Sequence, residues 1–318
     1  MKIKQLFKSV FFLNIASFTG LHFINRYISD ESANMHFLST DKGSFYKWKS
    51  DKVFYFKKGS GPVPVLLLHD ARSYSCADEW DKVSECFPSD KYTVYCPDLP
   101  GCGRSDKPGI KYTNYYYVQF ISSFIRDIVG KPVVAAAGGI SSSFLFMAAL
   151  NSPDLISSIT AVNPLQFKQL ERIPDRRTRF ICNLINMPVV GTNIYYYLSS
   201  RRNLLRLLAR KLIYDPLKVS AGTLNMFYCA SHLGGGTGKY LMTSIDGHYL
   251  YWNIKRFLPQ IKIPVTIVCG EKQSHGKDII NSYRKMNPSF KGFSVSGSKL
   301  LSHMENPEHV ARIISKVF

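Results

Sequence analysis

The sequence predicts an α/β fold: a doubly wound, mostly parallel sheet with a helical cap inserted late in the sheet. Three observations carry this. Short apolar runs, each ended by polar residues or glycine, alternate with helical stretches, as buried parallel strands and their crossovers do. One long stretch, residues 165–258, shows no strand pattern; helical periodicity, prolines and basic residues dominate it. The 318-residue chain is 45% hydrophobic and 20% charged, an ordinary globular balance that excludes a disordered, collagen-like or coiled-coil chain.

Taken in order, the elements begin with Lys2, Lys4 and Lys8 before a mostly apolar stretch over 10–24, which Asn14, Ser17, Thr19 and His22 interrupt. Residues 1–30 are read as a membrane-associated segment, either an anchor or an interfacial helix. A spanning helix needs ~20 largely apolar residues, so this run is marginal. A cleaved signal and an amphipathic helix docked on the body are the alternatives. If the segment spans, the lysines favour an inside N-terminus. Residues 45–48 and 53–56 alternate and are rich in aromatics, and Lys57-Lys58-Gly59-Ser60-Gly61 follows them, which predicts an opening antiparallel hairpin. Strands are predicted at 63–69, 92–96, 133–137, 159–162, 265–269 and 293–295. Helices at 79–86, 114–129, 142–150, 279–285 and 307–317 separate them. The organisation is therefore an N-terminal segment over 1–30, a core over 31–164 and 259–318, and a cap over 165–258.

Lys+Arg 41 against Asp+Glu 22 gives a net charge of +19. Such a balance favours anionic partners. No nucleic-acid module is recognisable, so no nucleic-acid partner is expected, and an anionic membrane surface explains the sign as well. The cysteines at 76, 86, 96, 102, 182, 229 and 269 are odd in number and lie in no close pair. That argues against a disulfide framework and a cysteine zinc site. His22, His36, His232, His248 and His309 lack metal-ligand spacing, so no metal is expected. No cofactor is expected either. Gly101-Cys102-Gly103 lacks the helix and spacing of a dinucleotide site, and Gly234-Gly235-Gly236 follows no strand.

Gly139-Ile140-Ser141-Ser142-Ser143 follows the predicted strand at 133–137 and opens a helix. It nearly fits G-x-S-x-G, a strand–turn–helix elbow that strains the backbone at a nucleophile and needs small residues two before and two after it. Ser142 or Ser143 as nucleophile would put Ile140 or Leu145 at a flank, so Ser141 is the expected register, with Gly139 and Ser143 as its flanks. His69-Asp70-Ala71 ends one strand, and Asp98-Leu99-Pro100-Gly101-Cys102-Gly103-Arg104-Ser105 ends the next. With the helical stretch and the later run from Ile263 through Gly270-Glu271-Lys272, this order resembles the α/β-hydrolase superfamily over about residues 50–318. More narrowly it is similar to the esterase, haloalkane-dehalogenase and epoxide-hydrolase-like branch with a helical cap.

The resemblance implies a serine hydrolase of esterase or acyl-hydrolase type acting on a small-molecule ester or acyl ligand, with Ser141 as nucleophile. The oxyanion hole would use the N–H of Ser142 and one near Asp70 or Ala71. Asp70 stands where the family usually has glycine; it either crowds the oxyanion or serves as a turn residue pointing away. His69 is the strand-end histidine, read as structural. Two further positions depart from the pattern. Gln273 sits where the triad acid is expected, and Leu300 where the base is expected, when Glu305 and Pro307 are aligned on the family's C-terminal motif. Three readings follow: an inactive hydrolase-fold protein that binds a ligand, a lipid or a partner; a stand-in base, either His303 or His275 with Asp278 nearby; or a slip of three residues that makes His303 the ordinary base.

In the cap, residues 201–212 read as a basic amphipathic helix. Leu204, Leu205, Leu208 and Leu212 share one face, and Arg202, Arg206 and Arg210 line another, which suits either anionic headgroups or a solvated outer face. Residues 195–198 with Met226, Phe227, Tyr228 and Tyr240 either line an acyl pocket or form plain cap core.

Overall fold

The computed structural model describes residues 19–28, 30–31, 37–41 and 43–316. Eight strands form one sheet: β1 (Gly43–Trp48), β2 (Asp51–Lys58), β3 (Val63–Leu68), β4 (Tyr92–Pro97), β5 (Val133–Gly138), β6 (Ile156–Val162), β7 (Val265–Gly270) and β8 (Lys291–Val295). Their order is β1-β2-β4-β3-β5-β6-β7-β8. β2 runs against both its neighbours, β1 and β4, and every other pairing is parallel. The expected hairpin is therefore the antiparallel margin of a parallel sheet.

The helices are α1 (Asp81–Glu85), α2 (Asn114–Phe124), α3 (Ser141–Asn151), α4 (Phe167–Leu170), α5 (Arg176–Asn186), α6 (Val190–Leu198), α7 (Arg201–Leu207), α8 (Ala221–His232), α9 (Gly238–Asp246), α10 (Gly276–Met286), α11 (Ser302–Glu305) and α12 (Pro307–Ser315). Strand side chains alternate between the two faces of the sheet. Leu66 and Leu68 of β3 and Val133, Ala135 and Ala137 of β5 pack with Phe120, Phe124, Phe144 and Tyr283 of α2, α3 and α10. Val65, Leu67, Val134 and Ala136 pack on the other face with Val83, Val310 and Ile314 of α1 and α12. Alanines dominate β5, and α3 can then lie close over it; all of β5 is buried.

Between β6 and β7 no strand occurs among the described residues. The basic stretch at 201–212 is not one regular α-helix. α7 ends at Leu207, and Leu208–Leu212 continues as a wider π turn. Leu204, Leu208 and Leu212 are buried as expected, but Leu205, about 100° round the helix from Leu204, is exposed. No described helix, the helical residues 19–28 included, is long and apolar enough to cross a membrane. The lysines and most of the apolar stretch ahead of them lie outside the described residues. The described part of this segment is tied to the body by Asn25, whose Nδ2 donates to Val189 O at 3.2 Å.

Candidate functional site

The C-terminal ends of β3, β5, β6 and β7 meet the loop after β8 beneath the helices of 165–258, the place where open parallel sheets put their ligands. β5 ends at Gly138 and α3 begins at Ser141. The sharp turn between them is made by Gly139 at φ +53, while Ile140 is already helical at φ −66 and ψ −27. The expected register, with Ser141 on the turn, is therefore corrected by two residues. Positive φ costs a glycine little and an ordinary residue more. The small flanks of the turn residue are Ala137 and Ser141, not Gly139 and Ser143.

The three serines are spent on the backbone. Ser141, fully buried, donates its hydroxyl to His69 O at 2.7 Å. Ser142 Oγ donates to Ala137 O at 2.9 Å and Ser143 Oγ to Ile140 O at 2.7 Å. The Ser142 N–H, expected in an oxyanion hole, donates to Gly139 O at 3.3 Å. The amide that faces the end of β3 is that of Ile140, and it donates to Asp70 Oδ1 at 2.8 Å. Asp70 Oδ2 accepts from Arg72 Nε at 3.1 Å. A Cβ on Gly139 would lie 2.4 Å from both Cγ and Oδ1 of Asp70. The Asp70 carboxylate thus fills the space that any side chain at 139 would need, and it points into the site rather than away. Burial works against the charge on Arg72, but the neighbouring carboxylate outweighs it and raises the guanidinium pKa. Ala71 is fully buried beside them.

The loop carrying Asp70 is fixed from below. His69 Nε2 accepts from the Leu99 N–H at 2.9 Å, which assigns the proton to Nδ1, and Nδ1 donates to Asp70 O at 2.8 Å. The run from Asp98 to Ser105 is built around the buried Asp98, which accepts from Ala77 N at 2.6 Å and from Arg104 N and Nε at 2.7 Å each. Burial alone would raise the Asp98 pKa; the Arg104 guanidinium and these hydrogen bonds pull it below the ordinary value. Cys76, Asp78 and Asp98 place donor atoms within 4.8 Å of one another. The Arg104 guanidinium already binds both carboxylates there, so this cluster is a cation site filled by the protein itself.

His303 makes no hydrogen bond to Ser141 among the described residues. Its ring stacks on Trp80 with centroids 4.3 Å apart, and its Nε2 lies 3.4 Å from Oε2 of the buried Glu79. The hydrogen-bond partner of Ser141 Oγ is a backbone carbonyl, not an imidazole. His275 is exposed, has φ +61 and pairs with Asp278 Oδ2 at 3.3 Å. Neither histidine stands as a base for Ser141 in this arrangement.

Gln273 and Leu300 both line one cleft of about 680 Å³, together with Arg72, Tyr74 and Asn163. Asn163, at φ +50, clamps three chain segments. Its Nδ2 donates to Leu300 O at 2.9 Å and to Ser302 Oγ at 3.0 Å, and its Oδ1 accepts from Gly270 N at 2.8 Å. Leu212 O accepts from the N–H groups of Leu300 and Leu301 at 3.0 and 3.1 Å, which ties the helical stretch to the same loop. The proposed acyl-pocket residues do not line this cleft. Tyr195 and Phe227 are fully buried, whereas Tyr197 is 71% exposed. Chemically, the site offers an anion hole already occupied by Asp70, a cation-bearing cleft above it, and no free nucleophile at the turn.

A family model described as the alpha/beta hydrolase fold matches residues 64–182. The chain has the α/β-hydrolase fold. A 2-(acetamidomethylene)succinate hydrolase of Mesorhizobium japonicum is 28% identical to it over 117 residues, which are 37% of this chain and 41% of that protein. The matched stretch thus spans well under two-thirds of that relative. A serine hydrolase involved in carbazole degradation superposes with a TM-score of 0.69 at 16% identity, over 86% of this chain and 97% of that one. An epoxide hydrolase from Vigna radiata superposes with a TM-score of 0.66 at 17% identity, over 86% and 96% of the two chains. These two likenesses are of fold. Within this fold, sequence reading missed Gly139, Arg72 and Asn163. The spacing of small residues around Gly139 was a usable signal for the first; the other two act through contacts far apart in sequence.

Proposed function

We propose that this α/β-hydrolase-fold protein is a catalytically inactive member that uses the cleft over its sheet to bind a small molecule. In this superfamily the nucleophile stands on the strained strand-to-helix turn and the following N–H holds the oxyanion. One observation carries the reading: the turn residue is Gly139, and the next amide, that of Ile140, already holds the Asp70 carboxylate. Gln273 and Leu300 at the nominal acid and base positions agree with it, since neither can take the proton of a nucleophile or balance an imidazolium. The test is a fluorophosphonate probe on the full chain beside Ser141→Ala. No labelling of folded wild type is expected; labelling that disappears in Ser141→Ala would overturn the reading and restore Ser141 as nucleophile.

We also infer that the cap contacts an anionic membrane surface. α5 buries only Cys182 and Ile185 and exposes Phe180, Ile181 and Leu184 beside Arg176, Arg177 and Arg179. Apolar and cationic side chains on one short helix suit the interface of an anionic bilayer, and the N-terminal segment is tied at Val189, just beyond the end of α5. Flotation should favour phosphatidylglycerol over phosphatidylcholine vesicles, and Phe180→Asp should weaken it. Equal partition between the two lipids would remove the inference.

A further inference from the structure

The cleft has a charge that the hydrolase fold does not require. Arg72, Arg210, Lys211 and Lys299 line it, and no carboxylate is among its lining residues. Beneath it, Asp70 is already committed to Arg72 and to the Ile140 amide, and Asp246 lies within electrostatic reach of Arg72. Glu305 accepts from the N–H groups of Lys299 and Tyr214 and lines a separate cavity of about 460 Å³. Lys299 is held in place, its Nζ donating to Arg210 O at 2.6 Å. Arg72 uses its Nε on Asp70, and its terminal nitrogens make no hydrogen bond among the described residues. Gln273 adds a buried Oε1 with no donor among the described residues. Four cations against the Asp70 and Asp246 carboxylates leave about two charges for a further anion. The unpaired Gln273 oxygen calls for a hydroxyl or another donor near it.

We propose that this cleft binds a phosphate monoester: the phosphate between Arg210, Lys211 and Lys299 and near the free edge of Arg72, a ligand hydroxyl on Gln273, and the organic part against Tyr74, Leu207 and Leu300. A phosphate carries roughly −1.5 to −2 at neutral pH and accepts several charge-assisted hydrogen bonds, which a single carboxylate does not match. The volume lies within the ordinary range for small-molecule sites. The proposal rests on the reading of the cleft as a binding site and names its ligand class. The ester is either soluble or the exposed headgroup of a lipid.

The test uses the full chain and two probes, glycerol 3-phosphate in solution and vesicles containing phosphatidic acid read against phosphatidylglycerol vesicles of equal charge, with thermal shift and calorimetry for the first and the excess flotation on phosphatidic acid for the second. Binding of at least one probe is expected, and which one responds identifies the source. Arg210→Ser with Lys211→Ser should weaken that binding about tenfold or more. Arg202→Ser with Arg206→Ser removes the same charge outside the cleft and should leave it within about twofold if the contacts are local. Equal weakening by both pairs, or no response to either probe, overturns the proposal. The fluorophosphonate experiment is independent of these outcomes, so a chain that neither labels nor binds phosphate esters loses this ligand class while remaining inactive as a hydrolase.

Discussion

Gly139→Ala tests the coupling between the empty turn position and the Asp70 carboxylate. A methyl at 139 would stand 2.4 Å from Asp70 Oδ1, so the carboxylate must rotate away. It then loses the 2.8 Å bond from the Ile140 amide and its seat beside Arg72. A hydrogen bond to a charged acceptor is worth about 1.5–3 kcal/mol. Placing a non-glycine residue at φ +53 adds about 1 kcal/mol or more. The single variant should therefore lose about 3 kcal/mol. In an Asp70→Gly background the carboxylate is gone, and only the backbone cost of about 1 kcal/mol remains. The double-mutant cycle should show a coupling of about 2 kcal/mol, whereas independent sites add to within about 0.5 kcal/mol. Urea unfolding with unchanged m-values measures it. Additive effects in the cycle would refute the claim that Asp70 occupies the space of a side chain at 139.

Three further outcomes follow from buried polar groups. His303→Ala should cost about 3 kcal/mol, since it removes a buried ring stacked on Trp80 and strands Glu79, while leaving the affinity of the cleft within about twofold; chemical denaturation and ligand titration check the two halves. Asp98→Asn should cost about 3–5 kcal/mol because it leaves Arg104 buried without its main partner. Asp98 has a depressed folded pKa, so its contribution is present above the ordinary carboxylate range and fades as pH falls through the folded value; the variant should show a shallower acid limb in urea titrations below pH 4. Burial pushes His232 down to about 4 from an ordinary 6.5. The folded state thus binds that proton less readily than the unfolded chain, and about 3 kcal/mol is lost as pH falls from 6.5 to 4. His232→Phe keeps a ring between Tyr196 and Tyr228 and should flatten the dependence of Tm on pH in that window.

The sheet was legible in the sequence wherever strands are buried on both faces. The runs at 63–69, 92–96, 133–137 and 265–269 each fall on an observed strand. β8 reads as only 293–295 because it is the sheet edge and Phe293 is half exposed, so its first residues carry no apolar signal. The elbow was harder. Two glycines and three serines on either side of Ile140 allow two registers, and the requirement for positive φ decides in favour of Gly139. The histidine positions were legible only as sequence neighbours; that His303 faces Glu79 and Trp80 depends on a contact across more than two hundred residues. The cleft itself was not legible. Arg72, Arg210 and Lys299 come from three distant segments, joined by the Asn163 clamp and the Leu212 bonds.

Arginines and lysines that face one another across an open cavity repel, and each also keeps a hydration shell that packing would otherwise displace. A fold selected only for stability would fill or neutralise such a space, and the places where a chain departs from that rule tend to be functional. If the cleft is kept for an anion, binding and stability must oppose each other there. Arg210→Ser with Lys211→Ser should therefore raise the stability of the unliganded chain by about 0.5–1 kcal/mol at low salt while removing phosphate-ester binding. The gain should vanish at about 1 M salt, where screening extends only about 3 Å. A loss of stability in the unliganded variant would mean that these cations serve the fold rather than the ligand.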